Sequence, residues 1–214
     1  MLIIDPKTGL MKGSVGNMTY YIRNGKQIVR VRHNSSHHDA KTPKQIDQRH
    51  KMSMAIGYLK PIAGFIRTSF KSVPPFEAHD RAKSHIMDNA CIKVEDTSTL
   101  DYSKVLVCQG TLAPPDGATM HFNPFEQTFT FAWADNSGQA CANEDDQLVF
   151  LIYDNFRGSI YSSQHMESTA LRKDGTFCFK PHCLSEGNYM VYLAFRNADD
   201  TDISNSVCVG MVRC

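Results

Sequence analysis

On either side of Asn24-Gly25, the run "MTYYIRNGKQIVRVR" from Met18 to Arg32 alternates polar and apolar residues with the two-residue period of a β-strand. An Asn-Gly pair accepts positive φ at both central positions of a tight turn, so the run predicts a two-residue hairpin. Arg23 then faces Lys26, Ile22 faces Gln27, Tyr21 faces Ile28, Tyr20 faces Val29, Thr19 faces Arg30 and Met18 faces Val31. One side of the ribbon carries Met18, Tyr20, Ile22, Val29 and Val31 and is expected to be core. The other carries Thr19, Tyr21, Arg23, Lys26, Ile28, Arg30 and Arg32 and is cationic.

The period then changes. After the polar connector "HNSSHHDAK", "TPKQ" offers Thr42 as a cap, Pro43 at the first helical position and Gln45 to complete a capping box. Met52, Ala55, Ile56, Leu59, Ile62, Ala63, Ile66 and Phe70 follow at three- and four-residue steps, the pattern of an amphipathic helix that Pro61 should kink or divide. "SVPPF" stops it, and "EAHDRAKSHIMDNA" predicts another helix with Ala78, Ala82, Ile86 and Ala90 inward. Beyond residue 100 the runs are short and β-like: "KVLVCQG", "ATMHF", "QTFTFAW", "QLVFLIYD", "SIYSS", "MESTAL", "TFCFK", "YMVYLAFR" and "SVCVGMVR". Turn clusters such as "APPDG", "FNPFE" and "KDGT" separate them at the spacing of a β-sandwich. The expected architecture is an α+β module over residues 1–100, hairpin plus helices, followed by an all-β immunoglobulin/fibronectin-like sandwich over 101–214. Trp133, the only tryptophan, is expected in its core.

Charge sharpens this division. Residues 1–100 hold 16 Lys/Arg against 8 Asp/Glu, and residues 101–214 hold 7 against 14, so a chain of net charge +1 has a basic front and an acidic back. Such asymmetry suits modules with different partners, self-association of opposite charges, or partial neutralisation of one half by the other within the same molecule. The apolar stretch from Met52 to Phe70 is interrupted by Lys60, Pro61 and Arg67, so no membrane span is expected, and "MLIIDPKTGLMKG" is too short in apolar residues for a secretory leader. Seven cysteines, with no CxxC, are expected to be reduced thiols, most of them turned inward from strands, in a cytoplasmic protein.

"GSVGNMTYYIRNGKQIVRVR", "TPKQIDQRHKM", "LKPIAGFI", "DYSKVLV", "FAWADNSGQACANEDDQLVFLIYD" and "VYLAFRNADDTDISNSVCVG", in that order, resemble an uncharacterised family from gut anaerobes known only as a domain of unknown function. The resemblance covers nearly the whole chain. It implies the same basic hairpin and helices before an immunoglobulin-like β-domain, and it transfers no activity and no functional residue. This chain departs from the family pattern in extra cysteines and histidines, which argues against a shared catalytic role for them.

Candidate chemistry is sparse. His165-Met166-Glu167 with Cys178 and Cys183 evokes a zinc deaminase, but His182 stands where that motif needs its first cysteine and the CxxC bite is missing. His33, His37 and His38 could share a metal, yet a polar connector of this kind is ordinarily solvated. Gly9, Gly13 and Gly16 lack the Gly-Lys-Ser/Thr ending of a phosphate loop and are better read as turns. "ANEDDQ" and "NADDTD" lack the spacing and terminal Glu of a calcium loop and are expected to be solvated. Asp154 with Glu167 or Glu186 has no context that fixes a hydrolytic separation, and no serine lies in a nucleophile elbow. No enzyme, cofactor or metal is therefore expected. The chain reads as a structural or interaction protein, of the kind found in assemblies of phage-like or mobile elements, including virion-like ones, with a protein partner or a second copy as its target. Tyr21, Arg23, Lys26, Arg30 and Arg32 are the candidate contact residues, with nucleic acid the alternative partner for that cationic face; the plain reading of the same face is a solvated outer surface that keeps edge strands from aggregating.

Overall fold

The computed structural model describes residues 2–4, 8–32, 42–94, 97–154, 158, 160–163 and 170–214, which fall into two compact units, Met1–Thr42 and Pro43–Cys214. Three α-helices and four antiparallel sheets make the described residues a mixed α+β structure, mostly β toward the C-terminus.

Met1–Thr42 is a four-stranded meander of β1 (Leu2–Ile4), β2 (Met11–Val15), β3 (Met18–Arg23) and β4 (Lys26–Val31), in that spatial order. Asn24 and Gly25 take φ of 50° and 74°, and all six cross-strand pairs from Met18↔Val31 to Arg23↔Lys26 occur as the turn requires. The glycine-rich segment before the hairpin is only partly turn: Gly13 lies within β2, while Gly16 (φ 54°) and Asn17 link β2 to β3.

Pro43–Cys214 begins with α1 (Pro43–Leu59), α2 (Ala63–Ser69) and α3 (Pro75–His85). Pro61 lies in the break between the first two helices, where its ring would clash in a continuous one. A π-helical turn, Ile86–Ala90, extends α3, and Ala78, Ala82, Ile86 and Ala90 all point inward with no exposure. On the first two helices Ala55, Leu59, Ile62, Ile66 and Phe70 are buried as expected, but Met52 and Ile56 are about 40% exposed. The buried residues of α1 are Ala55, Tyr58 and Leu59, and Phe65 is buried on α2.

A short hairpin follows, β5 (Cys91–Val94) with β6 (Thr97–Leu100). "KVLVCQG" forms no strand; Val105, Val107 and Cys108 are buried in irregular chain that is pinned by the Ser206 hydroxyl, which accepts from the N–H groups of Val107 and Cys108. The remaining strands are β7 (Asp116–Asn123), β8 (Thr128–Ala134), β9 (Gln147–Asp154), β10 (Ile160–Ser162), β11 (Thr176–Phe179), β12 (Asn188–Arg196) and β13 (Val207–Arg213). They form a three-stranded sheet, β11-β8-β7, and a four-stranded sheet, β10-β9-β12-β13.

Two cores meet at the four-stranded sheet. Leu148, Phe150 and Ile152 of β9 and Tyr189, Val191, Leu193 and Phe195 of β12 pack with Phe129, Phe131 and Trp133 of β8. Val149, Leu151 and Tyr153, with Met190, Tyr192 and Ala194, face the opposite way into the helices. Strands covered on both faces need continuous apolar runs instead of alternation, which is why "LVFLIY" and "YMVYLAF" read as they do. The boundary expected near residue 100 thus falls inside a unit whose helices and strands share one core.

Candidate functional site

Strand pairing sorts the Met1–Thr42 sheet into two chemically opposite faces, since residues directly across from one another share a face. Lys12, Ser14, Thr19, Tyr21, Arg23, Lys26, Ile28 and Arg30 lie on one. Arg32 continues the alternation, its N–H still bonded to the Asn17 carbonyl at 2.7 Å. Arg23, Lys26, Arg30 and Arg32 are exposed, Tyr21 is 36% exposed, and none of the four cations pairs with a described carboxylate. Arg23 stands directly opposite Lys26, a like-charge juxtaposition that costs the sheet a few tenths to about 1 kcal/mol unless an anion relieves it. The five candidate contact residues are therefore together on one surface.

The other face has three cross-strand rows. Val15, Met18 and Val31 form one; Gly13, Tyr20 and Val29 the next; Ile22 with Gln27 a third, which Met11 continues in register. Gln27 is anchored by its amide, accepting from the Met11 N–H at 2.7 Å and donating to the Met11 carbonyl at 2.9 Å. This was the side expected to be core, and it is not: Met18 is 47%, Val29 49%, Val31 64%, Val15 52% and Ile4 57% exposed. The reason lies in the unit itself, where the described residues supply one sheet and no second layer to cover it.

Within Pro43–Cys214 the acidic runs singled out in the sequence are tied into the fold at Asp146, Asp200 and Asp202. Asp146 of "ANEDDQ", expected to be solvated, is fully buried against Arg172, with Asp146 Oδ2 2.9 Å from Nη2 and accepting from Nε at 3.0 Å. Arg172 Nη1 donates to Asn136 Oδ1 at 2.6 Å and Nη2 to the Ala113 carbonyl at 2.9 Å. Its guanidinium sits 4.1 Å above the Phe195 ring, and its carbonyl accepts from the Trp133 indole at 2.7 Å. Nothing in the sequence couples Asp146 to Arg172; a charge next to a strand reads as surface until the fold brings its partner. In "NADDTD", Asp200 lies 3.3 Å from Lys71 Nζ, and Asp202 accepts from the backbone N–H and hydroxyl of Thr111. Burial pushes the Asp202 carboxyl up, but those hydrogen bonds and one from the Ile203 N–H hold it below the usual range.

Four tyrosines gather between the helices and β9-β12. Tyr58 donates to the Tyr192 hydroxyl at 2.8 Å, Tyr192 to the Tyr102 carbonyl at 3.0 Å, and Tyr153 to the Tyr58 carbonyl at 3.2 Å. Burial raises the phenols of Tyr58 and Tyr192 far above their ordinary value and that of Tyr153 to about 12, so all three stay protonated at neutral pH and serve as neutral donors. The cleft beside them, about 580 Å³, is lined by His50, Met54, Tyr58, Ser98 and Tyr102, and the Ser98 hydroxyl donates to Asp47 Oδ1 at 2.6 Å. A second cleft of about 250 Å³ contains Arg196, which donates to Gln147 Oε1 at 2.9 and 3.1 Å.

Among the described residues no three His, Cys, Asp or Glu side chains converge as a metal site would require. Cys178 and Cys183 are exposed, while His165, Glu167 and His33, His37 and His38 lie outside the described residues. Asp154 is buried and Glu186 exposed. All seven cysteines are unpaired; only Cys108 is fully buried, and Cys141, Cys178 and Cys183 face solvent, so strand position did not turn most of them inward. No described helix is long and apolar enough to cross a membrane.

No curated protein matches the chain. Residues 10–210 match the model of the family described as "Family of unknown function (DUF6266)", and with that span the chain belongs to this family.

Proposed function

We propose that this chain is a non-enzymatic interaction protein in which the Met1–Thr42 sheet is the contact element and Pro43–Cys214 the scaffold. The observation that carries the reading is a lone sheet with one uncharged apolar face and one cationic face, neither covered by a second layer of its own unit. Folded chains seldom leave such a surface in water unless something binds it. For the scaffold we propose an immunoglobulin- or fibronectin-like sandwich. Its seven strands divide three and four, and the chain crosses between sheets from β8 to β9 and from β10 to β11 and back to β12, which supports that type. Trp133 on β8 and the unpaired cysteines set it apart from antibody domains.

Nucleic-acid binding is the second reading, favoured by Tyr21 lying among Arg23, Lys26, Arg30 and Arg32 on one exposed face. Replacing those four cations with Ser separates the two. Under the leading reading, wild type and variant bind single- and double-stranded oligonucleotides equally poorly by fluorescence anisotropy at ~150 mM salt. Tight wild-type binding that the variant loses, with a shallower salt dependence, would move the function to nucleic acid.

A further inference from the structure

We infer that the uncharged face of the Met1–Thr42 sheet packs against the same face of a second copy, so that the chain forms a two-fold symmetric dimer. The inference rests on reading this sheet as the contact element and names its partner.

Charge is the first argument. An isologous contact sets the same patch of both copies face to face, so a patch of one charge sign repels itself, and an uncharged patch does not. Ile4, Met11, Gly13, Val15, Met18, Tyr20, Ile22, Gln27, Val29 and Val31 include no charge, while Lys12, Arg23, Lys26 and Arg30 all lie on the reverse. Packing apolar side inward sends the two cationic faces to opposite outer surfaces, the greatest separation two stacked sheets allow.

Shape is the second argument. The middle row places Gly13, which has no side chain, beside Tyr20, the largest residue of the face. A hollow next to a ridge becomes complementary to itself when rotated by half a turn, each Tyr20 entering over the other copy's Gly13.

Area sets the strength. Four strands about 4.8 Å apart and about five residues long cover roughly 330 Å², and a pair of such faces covers roughly 660 Å². That is the low end for a specific interface, so the dimer is reversible and visible by dilution.

Sedimentation velocity over a wide concentration range tests this. The expected result is a rise from 24.1 kDa toward twice that mass, strengthened by sulfate as apolar contacts are. The variant Val15→Thr/Val29→Thr/Val31→Thr keeps side-chain shape and strand propensity but leaves hydroxyls without partners in the dimer, and should weaken association at least roughly tenfold. Circular dichroism and thermal unfolding of the variant verify that it is folded. A mass of one chain at every concentration overturns the proposal, as does a dimer that the threonine variant leaves intact or that salt dissolves. A salt-sensitive dimer lost in the four-fold Ser variant would overturn this pairing while leaving the sheet as contact element. Indifference of both variants in mass and oligonucleotide binding would overturn the wider reading too.

Discussion

Replacing Asp146 with Ala removes one member of a fully buried ion pair and leaves a guanidinium buried within Pro43–Cys214. Two of its bonds survive, to Asn136 and Ala113, and its stacking over Phe195 is untouched. Stranding a buried charge costs roughly 3–5 kcal/mol, and the surviving contacts place Asp146→Ala near the lower figure. Arg172→Met keeps much of the aliphatic stem but strands the carboxylate, which among the described residues retains the Asn143 N–H at 3.0 Å, for a similar cost. The double variant strands no charge and leaves the neutral acceptors Asn136 Oδ1 and the Ala113 carbonyl without their Arg172 donors. Because Asp146 Oδ1 has no hydrogen-bond partner among the described residues, the native pair is incompletely satisfied, and removing both members should cost at least about 2 kcal/mol less than the sum of the singles. Urea unfolding followed by Trp133 fluorescence is the assay, since that indole bonds to Arg172 itself and is the only tryptophan. At a slope of about 2 kcal/mol per molar, each single should lower the midpoint by roughly 1.5 M. Single costs below about 1 kcal/mol, or costs that add within about 0.5, would mean the pair is solvated and refute the reasoning.

Glycine substitutions should split by location: an added Cβ at Gly110 would sit 2.0 Å from the Ile203 carbonyl oxygen, so Gly110→Ala should lower the melting temperature by several degrees. Gly57→Ala, in a helix with open space around the new methyl, should stabilise by about 0.5–1 kcal/mol. Alkaline pH should unfold the tyrosine cluster. Since the folded phenols of Tyr58, Tyr153 and Tyr192 lie above their unfolded value, their contribution is complete below about pH 10 and fades as pH rises further, a loss that Tyr58→Phe should reduce in thermal melts from pH 9 to 12.

The hairpin register was legible because Asn24-Gly25 allows only one alignment of its flanks, and helix faces were legible where Ala78, Ala82, Ile86 and Ala90 repeat cleanly. Burial was not legible from alternation alone. Met18, Val29 and Val31 have the spacing of a core face, but spacing records which side is apolar, not whether anything covers it. Asp146 failed in the opposite sense, a charged residue read as solvated whose partner lies 26 positions away in sequence. The cationic residues were gathered correctly on one face, since local alternation alone determines that.

The four-stranded sheet β10-β9-β12-β13 is a party wall. Its two surfaces belong to different rooms, helices on one side and the three-stranded sheet on the other. A chain begun at residue 101 would turn Val149, Leu151, Tyr153, Met190, Tyr192 and Ala194 outdoors together. Helices and strands here must therefore be inherited, transplanted and truncated as one piece.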